Sequence, residues 1–236
     1  MRFTDKTVLV AGGTGALGRA VCLALLADGA RVMAVSRRAA EFEGLAAAAG
    51  PSRDRLAFLE ADVADPAGAA RAVAGGAASG ALAAVVNAAG AWAGGRALAE
   101  EDPDVLARML AANLAPSHAL ARAAVPALSR AGGGAIVSVA SLGAVGPQPG
   151  QASYGASKAA ALSLLLSLAE EVRSLRIRVN VVLPGTMDTE ANRRAMPGAD
   201  RSAWVRTEDV ARVIAFLCSD EAKAISGAAI PVRGGT

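Results

Sequence analysis

Seven short apolar runs alternate along the chain with longer stretches in which apolar residues recur every three or four positions. The runs lie near Val8 to Ala11, Arg31 to Val35, Leu56 to Ala61, Ala83 to Val86, Ala135 to Val139, Arg178 to Leu183 and Ala228 to Val232, and each predicts a strand. The longer stretches predict helices over Ala16 to Asp28, Ala67 to Ala74, Pro103 to Ser129, Ala152 to Ser174 and Thr207 to Ser219. Strands that are apolar at every position are covered on both faces, and intervening helices supply the crossovers that parallel pairing needs. The pattern predicts one α/β domain over residues 1–236, built on a doubly wound parallel seven-stranded sheet with helices on both faces. In such a sheet ligands bind beyond the carboxyl ends of the strands, where the winding reverses.

Composition removes several alternatives. Two uncharged stretches, 72–95 and 131–157, are long enough to span a membrane. The first holds six glycines and Asn87 and the second holds Pro147, Pro149 and two glutamines, so both read as buried strands with loops attached. No basic segment leads into an apolar run at the amino terminus, and a cytoplasmic protein without a membrane partner is expected. The net charge is +3 and the isoelectric point about 9.3, but acids and bases are interleaved and only 3% of residues are aromatic. That is a solvated surface and not a nucleic-acid footprint. His118 is the only histidine, which excludes His-rich zinc sites, and no metal is expected; within an Ala/Leu helix pattern it reads as structural. Cys22 and Cys218 fall in apolar helical patterns and read as reduced and buried.

The first strand breaks into glycines, in the stretch TVLVAGGTGALGRA at 7–20. Read from Gly13 it approaches a triphosphate-binding loop, but the positions for the phosphate lysine and the magnesium hydroxyl hold Arg19 and Ala20. Read from Gly12, the pattern Gly12-x-x-Gly15-x-x-Gly18, with Thr14, Ala16 and Leu17 between, lets backbone approach a pyrophosphate at a helix amino terminus. On the glycines alone a plain strand-to-helix turn remains open. The second strand ends in Ser36, Arg37 and Arg38, with no acid before Glu41. Two guanidiniums there suit a ribose 2′-phosphate, so NADP(H) is expected ahead of NAD(H); exposed arginines opening a helix are the alternative.

Tyr154 is the only tyrosine, and one of three lysines follows it four residues later as Lys158, on the same helical face. Making a phenol useful near neutrality requires lowering its pKa by about three units, or ~4 kcal/mol, which an ammonium ~4 Å away at an effective dielectric of ~20 supplies. The chain holds twenty-one arginines, so a lysine at this point fits a need for a compact charge. Ser141, at the end of the fifth strand, is placed to hold a substrate oxygen beside the phenol; capping a loop is the other reading. Asn113, inside a helical pattern, either hydrogen-bonds locally or serves the site.

Together these residues resemble the short-chain dehydrogenase/reductase superfamily, over residues 8–235. Asp62-Val63 looks like that family's adenine-pocket pair, and Asn87-Ala88-Ala89-Gly90 is similar to its Asn-Asn-Ala-Gly turn. Asn113, Ser141, Tyr154 and Lys158 match its catalytic tetrad. The segment Arg178 to Gly185, Thr189 beyond it, and the closing Ser226-Gly227 and Val232-Arg-Gly-Gly also fit, while Ala16 stands where most members carry glycine. The resemblance implies a Rossmann fold, cofactor contacts that extend to Pro184, Gly185, Thr186 and Thr189, a water held through Asn113, and a homodimer or homotetramer. The helix at 152–172, apolar nearly all round, also calls for a second partner surface.

Segments 12–18, 89–95 and 186–204 resemble a narrower branch, the dihydropteridine reductases. That branch carries an acid after the second strand and lacks the tetrad serine, and this chain departs on both counts. A substrate loop is expected at about 185–205, with Trp92, Met187 and Trp204 as a flat apolar wall beside Ser141. Arg193, Arg194 and Arg201 either attract an anionic substrate or are simply solvated. Three functions follow: hydride transfer between NADP(H) and a small carbonyl or alcohol with Tyr154 moving the proton, reduction of a quinonoid pterin, or cofactor-dependent regulation without chemistry.

Overall fold

Alternate side chains of each central strand enter opposite layers of the core. In β1 (Lys6–Ala11), Val8 and Val10 pack with one layer, and Leu9 and Ala11 with the other. The computed structural model describes residues 1–146 and 148–235; Pro147 and Thr236, within the expected domain, lie outside the described residues. Joining β1 are β2 (Arg31–Ser36), β3 (Leu56–Glu60), β4 (Ala81–Asn87), β5 (Gly134–Val139) and β6 (Ile177–Pro184). A two-residue ribbon, β7 (Met187–Asp188) against β8 (Val205–Arg206), precedes the last strand, β9 (Ala229–Val232).

The main sheet has seven strands in the order β3-β2-β1-β4-β5-β6-β9, all parallel. Winding runs outward from β1 in one direction and from β4 in the other, the arrangement of a Rossmann fold with its crevice between these two strands. On one face lie α1 (Ala16–Ala27), through Val21 and Leu25, and α2 (Phe42–Ala48), through Leu45. The other face carries α3 (Pro66–Ala78), and then α4 (Val105–Met109), which continues through one widened turn into α5 (Ala115–Arg130). Helix α6 (Ala152–Glu171) completes that face through Leu162 and Leu165. After the short α7 (Glu190–Ala195), α8 (Thr207–Cys218) returns to the first face and packs beside α1 through Ile214 and Leu217.

Two departures from the sequence pattern bear on the site. Helix α3 runs through Gly75 and Gly76, where the pattern ends it at Ala74, because packing of its buried face outweighs glycine's weak helix preference, and Gly76 lies on that face. A Cβ there would stand 3.4 Å from both Leu9 and Leu82. The helix expected over 103–129 is interrupted at Leu110–Leu114 by a π turn. Pro116, which has no N–H to donate into the preceding turn, follows immediately and accounts for the break. Among the described residues no helix is long and apolar enough to cross a membrane.

Candidate active site

The glycine loop is shaped by steric demands that only glycine meets. Gly12 has φ +73°, and a Cβ on it would lie 2.8 Å from the Ala89 nitrogen, at the tip of β4. Gly18, in the first turn of α1, would bring a Cβ within 2.0 Å of the Gly12 carbonyl oxygen, so it lets the helix close on the loop. A Cβ on Gly15 meets only the Gly12 oxygen at 3.4 Å; Gly15 lines an open cleft and leaves that space to a ligand. Arg19 makes the first helical hydrogen bond, to Gly15, so the N–H groups of Ala16, Leu17 and Gly18 precede the ladder. No acidic side chain stands in that turn. A cradle of this kind fits the pyrophosphate of a dinucleotide. Gly18→Ala is therefore expected to cost about 1–3 kcal/mol of stability and most cofactor affinity. Gly15→Ala should reduce affinity alone, and a denaturant melt with a cofactor titration separates the two.

The same cleft runs from Gly12, Thr14 and Gly15 past Ser36, Arg37 and Arg38 to Asp62 and Val63, and back along Ala88 to Ala91 to Pro116. Its far end is not a bare pair of guanidiniums, as the sequence suggests. A 3₁₀ turn at Ala39–Glu41 brings the Glu41 carboxylate back into the cleft, where it lies 2.5 Å from Arg38 Nη2 and 2.8 Å from Thr14 Oγ1. Thr14 Oγ1 is also 2.8 Å from Ser36 Oγ. A carboxylate only accepts, so the threonine proton belongs to Glu41 and the serine proton to Thr14. Among the described residues Arg37 makes no ion pair. Asp62 turns its Oδ1 to its own loop, accepting from the Ala64 N–H at 2.9 Å.

The four tetrad candidates fall in two pairs, Asn113 and Lys158 beside Gly90, which lines the cleft, and Ser141 and Tyr154 beside Gly143. Lys158, buried on α6, donates to the Val139 carbonyl at 3.0 Å, and a Cβ on Gly90 would lie 3.1 Å from its Nζ. Burial pushes the ammonium down to about 8. Ser141 Oγ accepts the Gly143 N–H at 3.1 Å, which leaves its own proton for another acceptor. Tyr154 and Ser141 both border Gly143. The expected acidification of Tyr154 by Lys158 is not what this arrangement produces: burial raises the phenol and the Ser141 hydroxyl opposes that rise. The ammonium is engaged by the Val139 carbonyl one strand end away.

Asn113 sits in the π turn, which directs its amide inward. Its Oδ1 accepts the Ala91 N–H at 2.9 Å, and its Nδ2 donates to the Ala91 carbonyl and to Ser157 Oγ, each at 3.0 Å. Both amide protons are thus taken, and one acceptor position on Oδ1 remains for the water that the family resemblance implies. Ser157 in turn donates to the Tyr154 carbonyl at 2.7 Å, so a buried chain links β4's tip, the π turn and the tyrosine backbone. Asn87 joins the same layer, accepting the Ala89 N–H and donating to Ser117. The sequence alone assigns no site role to Ser157, Ser117 or Glu41; Pro116, three residues past Asn113, is a local signal for the widened turn.

The 185–205 segment supplies fewer of its expected roles. Gly185 N–H is bound to the Val232 carbonyl, and Thr186 accepts from the Val205 N–H. The Thr189 hydroxyl caps α7, accepting from Asn192. Met187 packs on the α1 side of the core, and Trp204 lies under the Arg201 guanidinium at 5.7 Å. Trp92 is 56% exposed, and none of the three lines the dinucleotide cleft. Arg193 forms a two-pronged pair with Asp188, and Arg194 pairs with Glu190, which favours solvated structural roles for both. His118 is exposed on α5, not buried. Both thiols are buried, and Cys218 is pushed up to about 12 by burial.

The sequence model for short chain dehydrogenases matches residues 6–199. The 2,5-dichloro-2,5-cyclohexadiene-1,4-diol dehydrogenase LinX of Sphingobium indicum is 30% identical over 99% of this chain and 97% of its own length. The 4-formylbenzenesulfonate dehydrogenase TsaC1/TsaC2 of Comamonas testosteroni is 31% identical over 100% of this chain and 99% of its own. Among solved structures, a short-chain type dehydrogenase/reductase from Mycobacterium ulcerans is similar at a TM-score of 0.93 and 29% identity, covering 100% of this chain and 90% of that one.

Proposed function

The chain belongs to the short chain dehydrogenase family and is one of its oxidoreductases; from that premise we propose an NADP(H)-dependent enzyme that interconverts a small carbonyl and its alcohol, with Tyr154 moving the proton. The observation that supports this reading is that Ser141 and Tyr154 stand together beside Gly143, while Lys158 Nζ stands beside Gly90, which lines the dinucleotide cleft. When bound, the nicotinamide would supply or accept the hydride. Gly12, Thr14, Gly15, Ala16, Leu17 and Gly18 would hold the pyrophosphate, Ser36, Arg37 and Arg38 the 2′-phosphate, and Asp62 and Val63 the adenine. Asn87 to Gly90, Pro184, Gly185, Thr186 and Thr189 would line the nicotinamide half, and Lys158 its ribose.

Ser141 orients the substrate oxygen with its free proton, and Tyr154 gives a proton to that oxygen in reduction and takes it back in oxidation. Asn113 and Ser157 position the tyrosine backbone and the strand tip relative to each other. Two full-length relatives are named for a diol and for a formyl compound, which supports an alcohol or carbonyl as the reacting group. The pterin reading rests on the segments at 89–95 and 186–204, and the Ser141 hydroxyl beside the phenol favours the carbonyl over it. The free, buried thiols suit a cytoplasmic enzyme. The outward side of α6, with Ala152, Ala156, Ser163 and Ser167 exposed, suits a homodimer or homotetramer.

A fluorescence titration with NADPH and NADH, followed by turnover of a panel of ketones, ring aldehydes and a quinonoid pterin, tests the proposal. NADPH is expected to bind at least about tenfold more tightly, a difference of ~1.4 kcal/mol, and at least one carbonyl should turn over. Equal affinities would refute the roles of Arg37 and Arg38. Turnover of the pterin alone would select the pterin reading, and no turnover at all the regulatory one.

A further inference from the structure

We infer that Glu41 is a specificity-determining residue, a carboxylate that occupies the 2′-phosphate end of the cleft and holds down the enzyme's preference for NADP(H) over NAD(H). This rests on the cofactor reading above. The groups suited to a phosphate at this point are the Thr14 and Ser36 hydroxyls and the Arg37 and Arg38 guanidiniums. Glu41 already engages two of the four, Thr14 Oγ1 at 2.8 Å and Arg38 Nη2 at 2.5 Å, and it lines the same cleft. The backbone supports this placement, since the Arg38 N–H is bound to Ser36 Oγ at 3.3 Å and the 3₁₀ turn follows directly.

The consequence is electrostatic competition. A 2′-phosphate carries more than one negative charge, and to take Arg38 and Thr14 it must displace a carboxylate that carries one. The displaced Glu41 then stays nearby, and like charges in a partly exposed cleft repel. A ribose 2′-hydroxyl faces no such conflict, because it can donate to the carboxylate where it stands. Arg37, which makes no ion pair among the described residues, remains to tip the balance toward the phosphate. An exposed ion pair such as Arg38–Glu41 adds little to fold stability, so replacing Glu41 should change ligand choice without unfolding the protein.

The test is calorimetric titration of NADP⁺ and NAD⁺ into the wild-type protein, Glu41→Gln and Glu41→Ala, with thermal melts of the same samples. Glu41→Gln should tighten NADP⁺ about tenfold and leave NAD⁺ unchanged or weaker by up to about threefold. Glu41→Ala should shift the ratio in the same direction, giving a second route if the amide packs badly. A ratio of affinities within about twofold of wild type in both variants, measured on protein that melts normally, overturns the inference. The wild-type ratio speaks to the cofactor reading alone. If the unmodified protein prefers NAD⁺ and Glu41→Gln still moves the ratio toward NADP⁺, the cofactor reading fails and the role of Glu41 stands.

Discussion

Replacing Tyr154 by phenylalanine is expected to lower turnover by about a hundredfold to ten-thousandfold while cofactor affinity stays within about twofold of wild type. The ring remains to fill its partly buried position on α6, and the contacts that fix the helix there do not involve the phenol oxygen. Ser157 holds the tyrosine through its backbone carbonyl, and Lys158 is held by Val139. What disappears is the phenol proton beside Ser141. Water is a poor replacement, because the site is partly buried and a water would have to be ordered there for each turnover. Steady-state kinetics with a verified carbonyl, together with a cofactor titration of the variant, measure both halves. A loss smaller than tenfold would transfer the proton to another donor.

Lys158→Met should remove activity to a similar extent and at the same time make the protein more stable. The ammonium is buried, and burial lowers it from its ordinary 10.5 to about 8. That fall corresponds to about 3 kcal/mol of destabilisation whenever the lysine is charged in both folded and unfolded chains. The hydrogen bond to Val139 offsets part of this, and its loss in the variant leaves one carbonyl unpaired, so the net gain should be about 1–2 kcal/mol near neutral pH. The pH dependence identifies the cause. Below about 8 both states carry the proton and the penalty is constant. Between about 8 and 10.5 the unfolded chain binds more protons than the folded one, so wild-type stability gains on the variant as pH rises through that window. Denaturant melts of both proteins across the window measure the difference, from which the titration of all other groups cancels. A variant less stable than wild type, with no change in the difference across this range, would contradict the account. Stability surrendered at an active-site residue is the pattern expected where chemistry requires a charge in a dry place.

Much of this was legible in the sequence because the relevant signals are local and periodic. The apolar run at Val8 to Ala11 and the largely apolar one at Arg178 to Leu183 become strands paired on both sides, and Gly12 and Gly18 are glycines for steric reasons that their spacing already announces. The four-residue step from Tyr154 to Lys158 is a property of any helix. The remainder depends on where a chain folds back on itself. Glu41 lies five residues past Ser36, beyond the strand end where the sequence is read for an acid, and a 3₁₀ turn returns it to the cleft. Asn113 reads as a weak helical residue until Pro116 breaks the ladder and the widened turn aims its amide at Ala91 and Ser157. The direction of the Tyr154 shift also depends on the fold, because burial and not helical spacing dominates it. Spacing places the ammonium on the tyrosine's helical face, but in the folded chain it donates to the Val139 carbonyl, a partner that no helical pattern reveals.

The central claim is that Tyr154 becomes an effective acid and base only in the assembled site. Because it is the only tyrosine in the chain, a single isotope-labelled tyrosine resonance follows its ionisation without ambiguity. In the free protein the phenol is expected to titrate above its ordinary value near ~10, as burial dictates. With NADP⁺ bound it should become at least a hundredfold more acidic, by about two pH units or more. A resonance that titrates at the same pH with and without the cofactor would contradict the account.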